Sequence, residues 1–153
     1  MSPLPALLLT LWCVALSVCD LRSRRLPNVL TLPGAALVLG YGFATGRPTL
    51  AVSGALLLAV PYLLVHLCCP RALGAGDVKL ALGLGAATAL CGAQTWSWAA
   101  LAAPMLTATA GLGGMLGHRL RIPGAAGRAV VAGTLAHGPA MCAASVVAVV
   151  AGR

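Results

Sequence analysis

The uncharged stretch "LALGLGAATALCGAQTWSWAALAAPMLTATAGLGGMLGH", residues 80–118, decides how often this chain changes direction. A helix rises about 1.5 Å per residue, so one helix of this length would reach nearly 60 Å, about twice the hydrocarbon core of a bilayer. Its segment "CGAQTWSW" (91–98) is polar, contains glycine and is flanked by tryptophan, which is typical of a loop at a membrane interface. The stretch therefore predicts two helices joined by a turn.

The composition predicts an integral membrane protein. The 153 residues are 60% hydrophobic and 8% charged, with a mean hydropathy of +0.98, whereas roughly a quarter of the residues are charged in soluble domains. The other uncharged stretches, 1–19, 26–46, 48–70 and 129–152, each match a single crossing. We expect one all-α domain over 1–153, a polytopic bundle with spans at about 3–19, 28–45, 49–69, 77–91, 96–117 and 130–150.

The charges predict how the bundle is oriented. The formal net charge is +8, and alternate gaps between the spans hold eight basic residues against two on the other side. This bias places both chain ends outside and the basic gaps in the cytoplasm, against anionic lipids. Nucleic acid is not an expected partner, because the basic residues are not interleaved with aromatic ones. The eight are Arg22, Arg24, Arg25, Arg71, Lys79, Arg119, Arg121 and Arg128, and the two are Arg47 and Arg153.

The N-terminus and the cysteines are predicted to have structural roles. Residues 3–19 lack the basic region that opens a signal peptide, so we expect a retained first helix. The six cysteines lie mostly inside apolar runs, without C-x-x-C or histidines at metal-ligand spacing, which predicts packing residues and neither a zinc site nor a disulfide framework.

Asp20 and Asp77 are the only carboxylate side chains, since the chain has no glutamate. Both fall at the predicted cytoplasmic membrane edge. One possibility is that each aspartate has a local role: it caps a helix or pairs with a nearby base, Asp20 with Arg24 and Asp77 with Lys79. The other possibility is that the two aspartates form a catalytic dyad. In a dyad one carboxyl keeps its proton while the other acts as a base, which suits the activation of water and needs no metal or cofactor.

The residues around the acids add detail. Gly74 and Gly76 precede Asp77 without Cβ atoms, leaving room for an approaching substrate backbone. Asp77 opens a helix and Asp20 ends one, so the helix dipoles favour Asp77 as the ionised partner.

Two further residues of these segments have more than one interpretation. Lys79 either steadies Asp77 or anchors the helix end beside the headgroups. Asn28 either hydrogen-bonds near Asp20 or shapes the turn after Pro27, and we favour the turn.

The segments "DLRSRRLPNVLT" (20–31) and "GAGDVKL" (74–80) resemble the two signatures of the prepilin peptidases, which are G-x-G-D intramembrane aspartyl proteases. The resemblance implies an endopeptidase that cleaves the leader from type IV or Flp-type prepilins or pseudopilins, after a glycine, at the cytoplasmic face of the bacterial cell membrane. A third segment, "AHGPAMCAAS" (136–145), is similar to the family's Pro-Phe-Gly-Pro stretch but has Ala136 and His137 where Pro and Phe are usual. Carried over, the catalytic residues are Asp20 and Asp77, supported by Gly74, Gly76, Lys79, Pro27 and Asn28.

The chain resembles the short, peptidase-only type found with tight-adherence (Flp) pilus systems. Only 19 residues precede Asp20, and the extra N-terminal portion that the longer members associate with methylation does not fit there, so methyltransferase activity is not expected. Two other functions stay open: a small transporter or proton pathway that uses the same acids, and a non-catalytic scaffold of a pilus or secretion system. The sequence does not specify an oligomeric state.

Overall fold

The computed structural model describes residues 3–23, 26–70, 73–119 and 137–152 and is all-helical there, as the sequence predicts. The first five predicted spans coincide with helices within a few residues, and the last coincides with a helix from His137 onwards. The beginning of the last predicted span, 130–136, lies outside the described residues. The six helices of the described part are α1 (Pro3–Ser23), α2 (Asn28–Ala44), α3 (Pro48–Cys68), α4 (Ala75–Cys91), α5 (Ala93–Arg119) and α6 (His137–Ala151).

Two boundaries differ from the predicted ones. α1 continues to Ser23, so Asp20 lies inside its last turn rather than beyond its end. The turn predicted over 91–98 is reduced to Gly92, and both Trp96 and Trp98 belong to α5. Gly92 has a φ of 133°, a conformation that side chains other than glycine's rarely adopt, so one residue suffices to reverse the chain.

α4 is the central helix of the bundle. It packs against α2, α3, α5 and α6, and most of its residues from Leu80 to Leu90 are buried. α1 packs on α6 and, less extensively, on α2. Because α4 is enclosed by its neighbours, Asp77 in its first turn lies where several helix ends meet.

Close backbone contact holds α3 against α4. A Cβ atom added at Gly54 of α3 would stand 2.7 Å from the carbonyl oxygen of Gly85 in α4, and one added at Gly85 would likewise meet Gly54. Small residues at such a crossing let two helices approach closely, which is a common way to pack helices in membranes.

The outer surface of the bundle carries many large apolar side chains, among them Leu37, Leu57 and Leu101. Two of the described helical stretches, Leu4–Ser23 and Pro48–Cys68, are long and apolar enough to cross a membrane, and 28% of each is buried. Most of their apolar surface therefore faces outwards. Several basic residues used for the orientation lie outside the described residues: Arg24, Arg25, Arg71, Arg121, Arg128 and Arg153.

Candidate active site

Asp20 and Asp77 meet at one end of the bundle. Asp20 is in the last turn of α1 and is 7% exposed, and Asp77 is the third residue of α4 and is partly buried. Their carboxyl groups are close enough to interact through their charges. Two acids that are far apart in the sequence are thus brought to one place by the packing of the helices.

Asp20 is held by α6. The backbone N–H of Gly138, the second residue of that helix, donates to the Asp20 carboxylate. A Cβ atom at Gly138 would stand 2.8 Å from Asp20 Oδ2, so glycine is what lets the backbone come this close. The first N–H groups of a helix have no partner within it, and the Asp20 carboxylate satisfies one of them.

Asp77 is held by its own helix start. Its Oδ2 accepts the N–H of Gly74 at 3.2 Å, and its own N–H donates to the Gly74 carbonyl oxygen at 3.1 Å. Helix capping was one of the two roles that the sequence leaves open for Asp77. The capping bond uses one of the two carboxylate oxygens. Capping and a chemical role are therefore compatible at this residue.

Both carboxylates now stand at the N-terminus of a helix, Asp77 in α4 and Asp20 against α6. The helix dipole stabilises a negative charge at either place. The expected difference between them rested on Asp20 facing only a helix C-terminus. The contact with Gly138 opposes the effect of the α1 C-terminus on Asp20, so the dipoles alone do not decide which carboxyl keeps the proton.

Leu26 connects the three segments of the site. Its Cβ atom is 3.0 Å from the position that a Cβ atom of Gly76 would take, and its Cδ1 atom is 3.6 Å from the corresponding position at Gly138. The room left by Gly76 is therefore filled by this chain's own leucine, and the expectation that it admits a substrate backbone is wrong for that residue. Gly74, in contrast, is exposed.

Pro27 and Asn28 start α2 beside the site. The Pro27 carbonyl oxygen accepts the N–H groups of Leu30 and Thr31 at 3.0 and 3.1 Å, which begins the helix. Asn28 is the first residue of α2, and its Oδ1 accepts a hydrogen bond of 2.8 Å from Lys79 Nζ. Lys79 thus bonds Asn28, so its side chain ties α4 to α2. Arg24, the expected partner of Asp20, lies outside the described residues.

Three residues in or beside the site were not among the predicted site residues. Tyr62 of α3 is partly buried and within electrostatic reach of Asp77. Cys142 of α6 is 2% exposed, hydrogen-bonds Cys13 of α1 and is within electrostatic reach of both acids. His66 Nδ1 donates to the Leu73 carbonyl oxygen at 2.7 Å, which fixes the residue before Gly74.

Only one of these neighbours had a signal in the sequence. Cys142 follows Gly138 by four residues and so shares its helix face. Tyr62 and His66 had no signal, because they come from a helix that carries no motif.

Two carboxyl groups within electrostatic reach of each other, each accepting a backbone N–H, can take part in acid–base catalysis. In a pair that holds one proton, one carboxyl can act as a base towards a water molecule while the other donates a proton. Among the described residues, no group of three or more metal-ligating side chains occurs beside them, and the six cysteines are free thiols.

Comparison with known proteins identifies the family. No curated protein sequence and no solved structure gave a significant match. The model of the type IV leader peptidase family matches residues 7–150, a range that includes both acids and the Gly138 segment. The match covers nearly the whole chain, and the protein therefore belongs to the type IV leader peptidase family.

Proposed function

We propose that this protein is a membrane aspartyl endopeptidase that removes the leader peptide from type IV or Flp-type prepilins or pseudopilins, with Asp20 and Asp77 as its catalytic dyad. The observation that carries the proposal is the meeting of these two acids at one end of the bundle, within electrostatic reach of each other. Membership of the leader peptidase family supports the peptidase activity.

The dyad acts on a water molecule held between the two side chains. The ionised carboxyl takes a proton from the water as its oxygen attacks the scissile carbonyl carbon, and the neutral carboxyl hydrogen-bonds the carbonyl oxygen. When the tetrahedral intermediate collapses, the C–N bond breaks and the new amine takes a proton from the dyad. The pair ends the cycle with the single proton that it started with, so no cofactor is consumed.

The proposed setting is the bacterial cytoplasmic membrane. The six helices cross it as one domain over 1–153, with both chain ends outside and the dyad at the cytoplasmic face. The exposed apolar surface and the eight-to-two distribution of basic residues support this orientation. Anionic lipids contact the basic gaps, nucleic acid is not a partner, and the chain acts as a peptidase.

Glycines 74 and 138 hold the acids in this proposal, and Pro27, Asn28, Gly76 and Lys79 shape the surroundings. Gly74 and Gly138 supply the N–H groups that fix the two carboxylates. Gly76 admits Leu26, while Lys79 and Asn28 join α4 to α2. These residues position the dyad and do not take part in the chemistry.

The test compares cleavage by the wild type and by Asp77→Asn. Membranes that contain either protein are incubated with a tagged prepilin, and the precursor and the product are separated on a gel. Asparagine keeps an oxygen that accepts the Gly74 N–H but is no longer an acid, so a lost cap is not the cause of lost cleavage. We expect the wild type to shorten the precursor and the variant to leave it intact, with Ser97→Ala on the exposed side of α5 as the active control.

The cleavage assay and a flux measurement on vesicles together separate the other two functions. A scaffold leaves the precursor intact with wild type and variant alike. A transporter also cleaves nothing, but its ion or proton flux into vesicles is lost in Asp77→Asn. Either pattern would contradict the proposed peptidase.

A further inference from the structure

The end of the bundle opposite the dyad holds two adjoining cavities. One, of about 580 Å³, is lined by the α2–α3 turn and the end of α4, with the polar side chains of Tyr41, Thr45 and Arg47. The other, of about 870 Å³, runs between α5 and α6. Cys91 and Gly152 line both, so the two cavities lie side by side.

Neither acidic side chain of the protein lies near the charge of Arg47. The chain has two acids in all, and both stand at the other end of the bundle. The guanidinium makes one long hydrogen bond, from Nη1 to the Leu90 carbonyl oxygen at 3.5 Å, although it has five N–H donors. The side chain is exposed, so an anion can reach it from outside the protein.

The larger cavity is apolar. It is lined by Trp98, Met105 and Leu106 of α5 and by Ala143 and Val147 of α6, and Gln94 and Thr95 lie only near its end at the α4–α5 turn. The alanines of α6 keep it open, because they do not fill the space between the two helices. A flexible hydrocarbon chain suits this shape and chemistry.

We propose that the two cavities form one binding site for a phospholipid. The phosphate is held by the Arg47 guanidinium with the Tyr41 hydroxyl beside it, and one acyl chain lies between α5 and α6. A cationic pocket that lies beside an apolar groove is complementary to a phosphodiester joined to a hydrocarbon chain, and neither half alone has that match. The bound lipid would fasten α6 to the α4–α5 turn, remote from the dyad.

The test is lipid retention by the purified full-length protein in detergent, measured by native mass spectrometry. Three probes separate the parts of the ligand: dioleoylphosphatidylglycerol, dioleoylglycerol with the same acyl chains but without phosphate, and glycerol phosphate alone. We expect one phosphatidylglycerol per chain. Dioleoylglycerol should bind at least about tenfold more weakly, because it loses a hydrogen bond to a charged group. Glycerol phosphate should also bind at least about tenfold more weakly, because it buries no acyl chain.

Two variants locate the site. Arg47→Gln removes the charge and should reduce the retention of phosphatidylglycerol by about tenfold. Ala143→Trp fills the groove from an exposed position and should reduce the retention by at least about that factor, because the acyl chain loses its apolar contacts. The matched controls are Arg22→Gln at the dyad end and Ala36→Trp on the outer face of α2, both at exposed residues, and they should retain it. Melting temperatures without added lipid verify that all four variants fold.

Three results would overturn the proposal. Equal retention of phosphatidylglycerol and dioleoylglycerol would mean a groove without a phosphate site. Displacement of the lipid by an equal concentration of glycerol phosphate would mean a site for free phosphate. Unchanged retention by folded Arg47→Gln and Ala143→Trp would place the lipid elsewhere on the bundle.

Discussion

Gly138 matters at the scale of the single residue, because its missing side chain determines how α6 meets Asp20. The sequence identifies the two acids, since a chain with only two carboxylates draws attention to both. It does not identify the contact between Asp20 and Gly138, because that depends on which helices lie side by side. Leu26 is likewise unmarked in the sequence, yet its side chain fills the space beside Gly76 and Gly138.

Gly138→Ala should impair catalysis without unfolding the protein. The added Cβ atom would fall 2.8 Å from Asp20 Oδ2, so the carboxylate or the start of α6 must shift. A displacement of about 1 Å at reacting groups can lower a rate by about a hundredfold. We expect a loss of that order in the rate of prepilin cleavage, with unchanged helix content by circular dichroism.

The control for this variant is Gly40→Ala in α2, where an added Cβ atom meets nothing within 4 Å. It should cleave at the wild-type rate. Equal rates for Gly138→Ala and Gly40→Ala would show that the Gly138 contact is not needed to position Asp20.

At the scale of the elements, the apolar runs between charges predict the helices well, but not where they end. Charges were taken as the ends of spans, yet α1 continues past Asp20 to Ser23. A helix end at a membrane edge is set by hydrogen bonding and packing, and the hydropathy pattern does not report these. The turn at Gly92 is shorter than its polar composition suggested, because tryptophans suit the end of a helix as well as a loop.

The hydrogen bond between Lys79 and Asn28 should act on the packing of α4 against α2 and not on the chemistry. The variants Lys79→Met, Asn28→Ala and the double variant are compared by their free energies of unfolding. We expect a coupling of less than about 1 kcal/mol, because the pair is exposed.

Prepilin cleavage by the same three variants should fall by less than about tenfold, because neither side chain takes part in the acid–base chemistry. A role of Lys79 at the dyad would instead make Lys79→Met far less active than Asn28→Ala. That pattern would contradict the structural assignment of Lys79.

At the scale of the whole molecule, the two ends of the bundle differ in chemistry. One end carries both acids, and the other carries Arg47 with its adjoining cavities. Counting charges along the sequence predicts this difference between the ends. Asp20 and Asp77 border the gaps that hold the eight basic residues, whereas Arg47 lies in a gap on the other side. The order of the helices around α4 could not be predicted, because one sequence does not report which small residues face each other.

The orientation of the bundle can be measured with a native cysteine. Cys69 follows α3 at the dyad end and is exposed. In a variant that keeps Cys69 and has its other five cysteines replaced, we expect a membrane-impermeant maleimide to label it in inside-out vesicles and not in intact spheroplasts.

The partner experiment uses Thr45→Cys, at the exposed C-terminal end of α2, in a chain without other cysteines. It should be labelled in spheroplasts and not in inside-out vesicles. Labelling of Cys69 and of the residue 45 thiol from the same side would contradict a bundle that crosses the membrane in this way.

The central claim is that Asp20 and Asp77 act as one unit on a shared water molecule. Its most direct test is the single-turnover rate of prepilin cleavage by the wild type, Asp20→Asn, Asp77→Asn and the double variant, each verified as folded. We expect each single variant to lose about 10²- to 10⁴-fold, and the double variant to lose no more than the slower single one, because residues that act as a unit are not additive. Cleavage within about tenfold of the wild-type rate by either single variant would contradict the dyad.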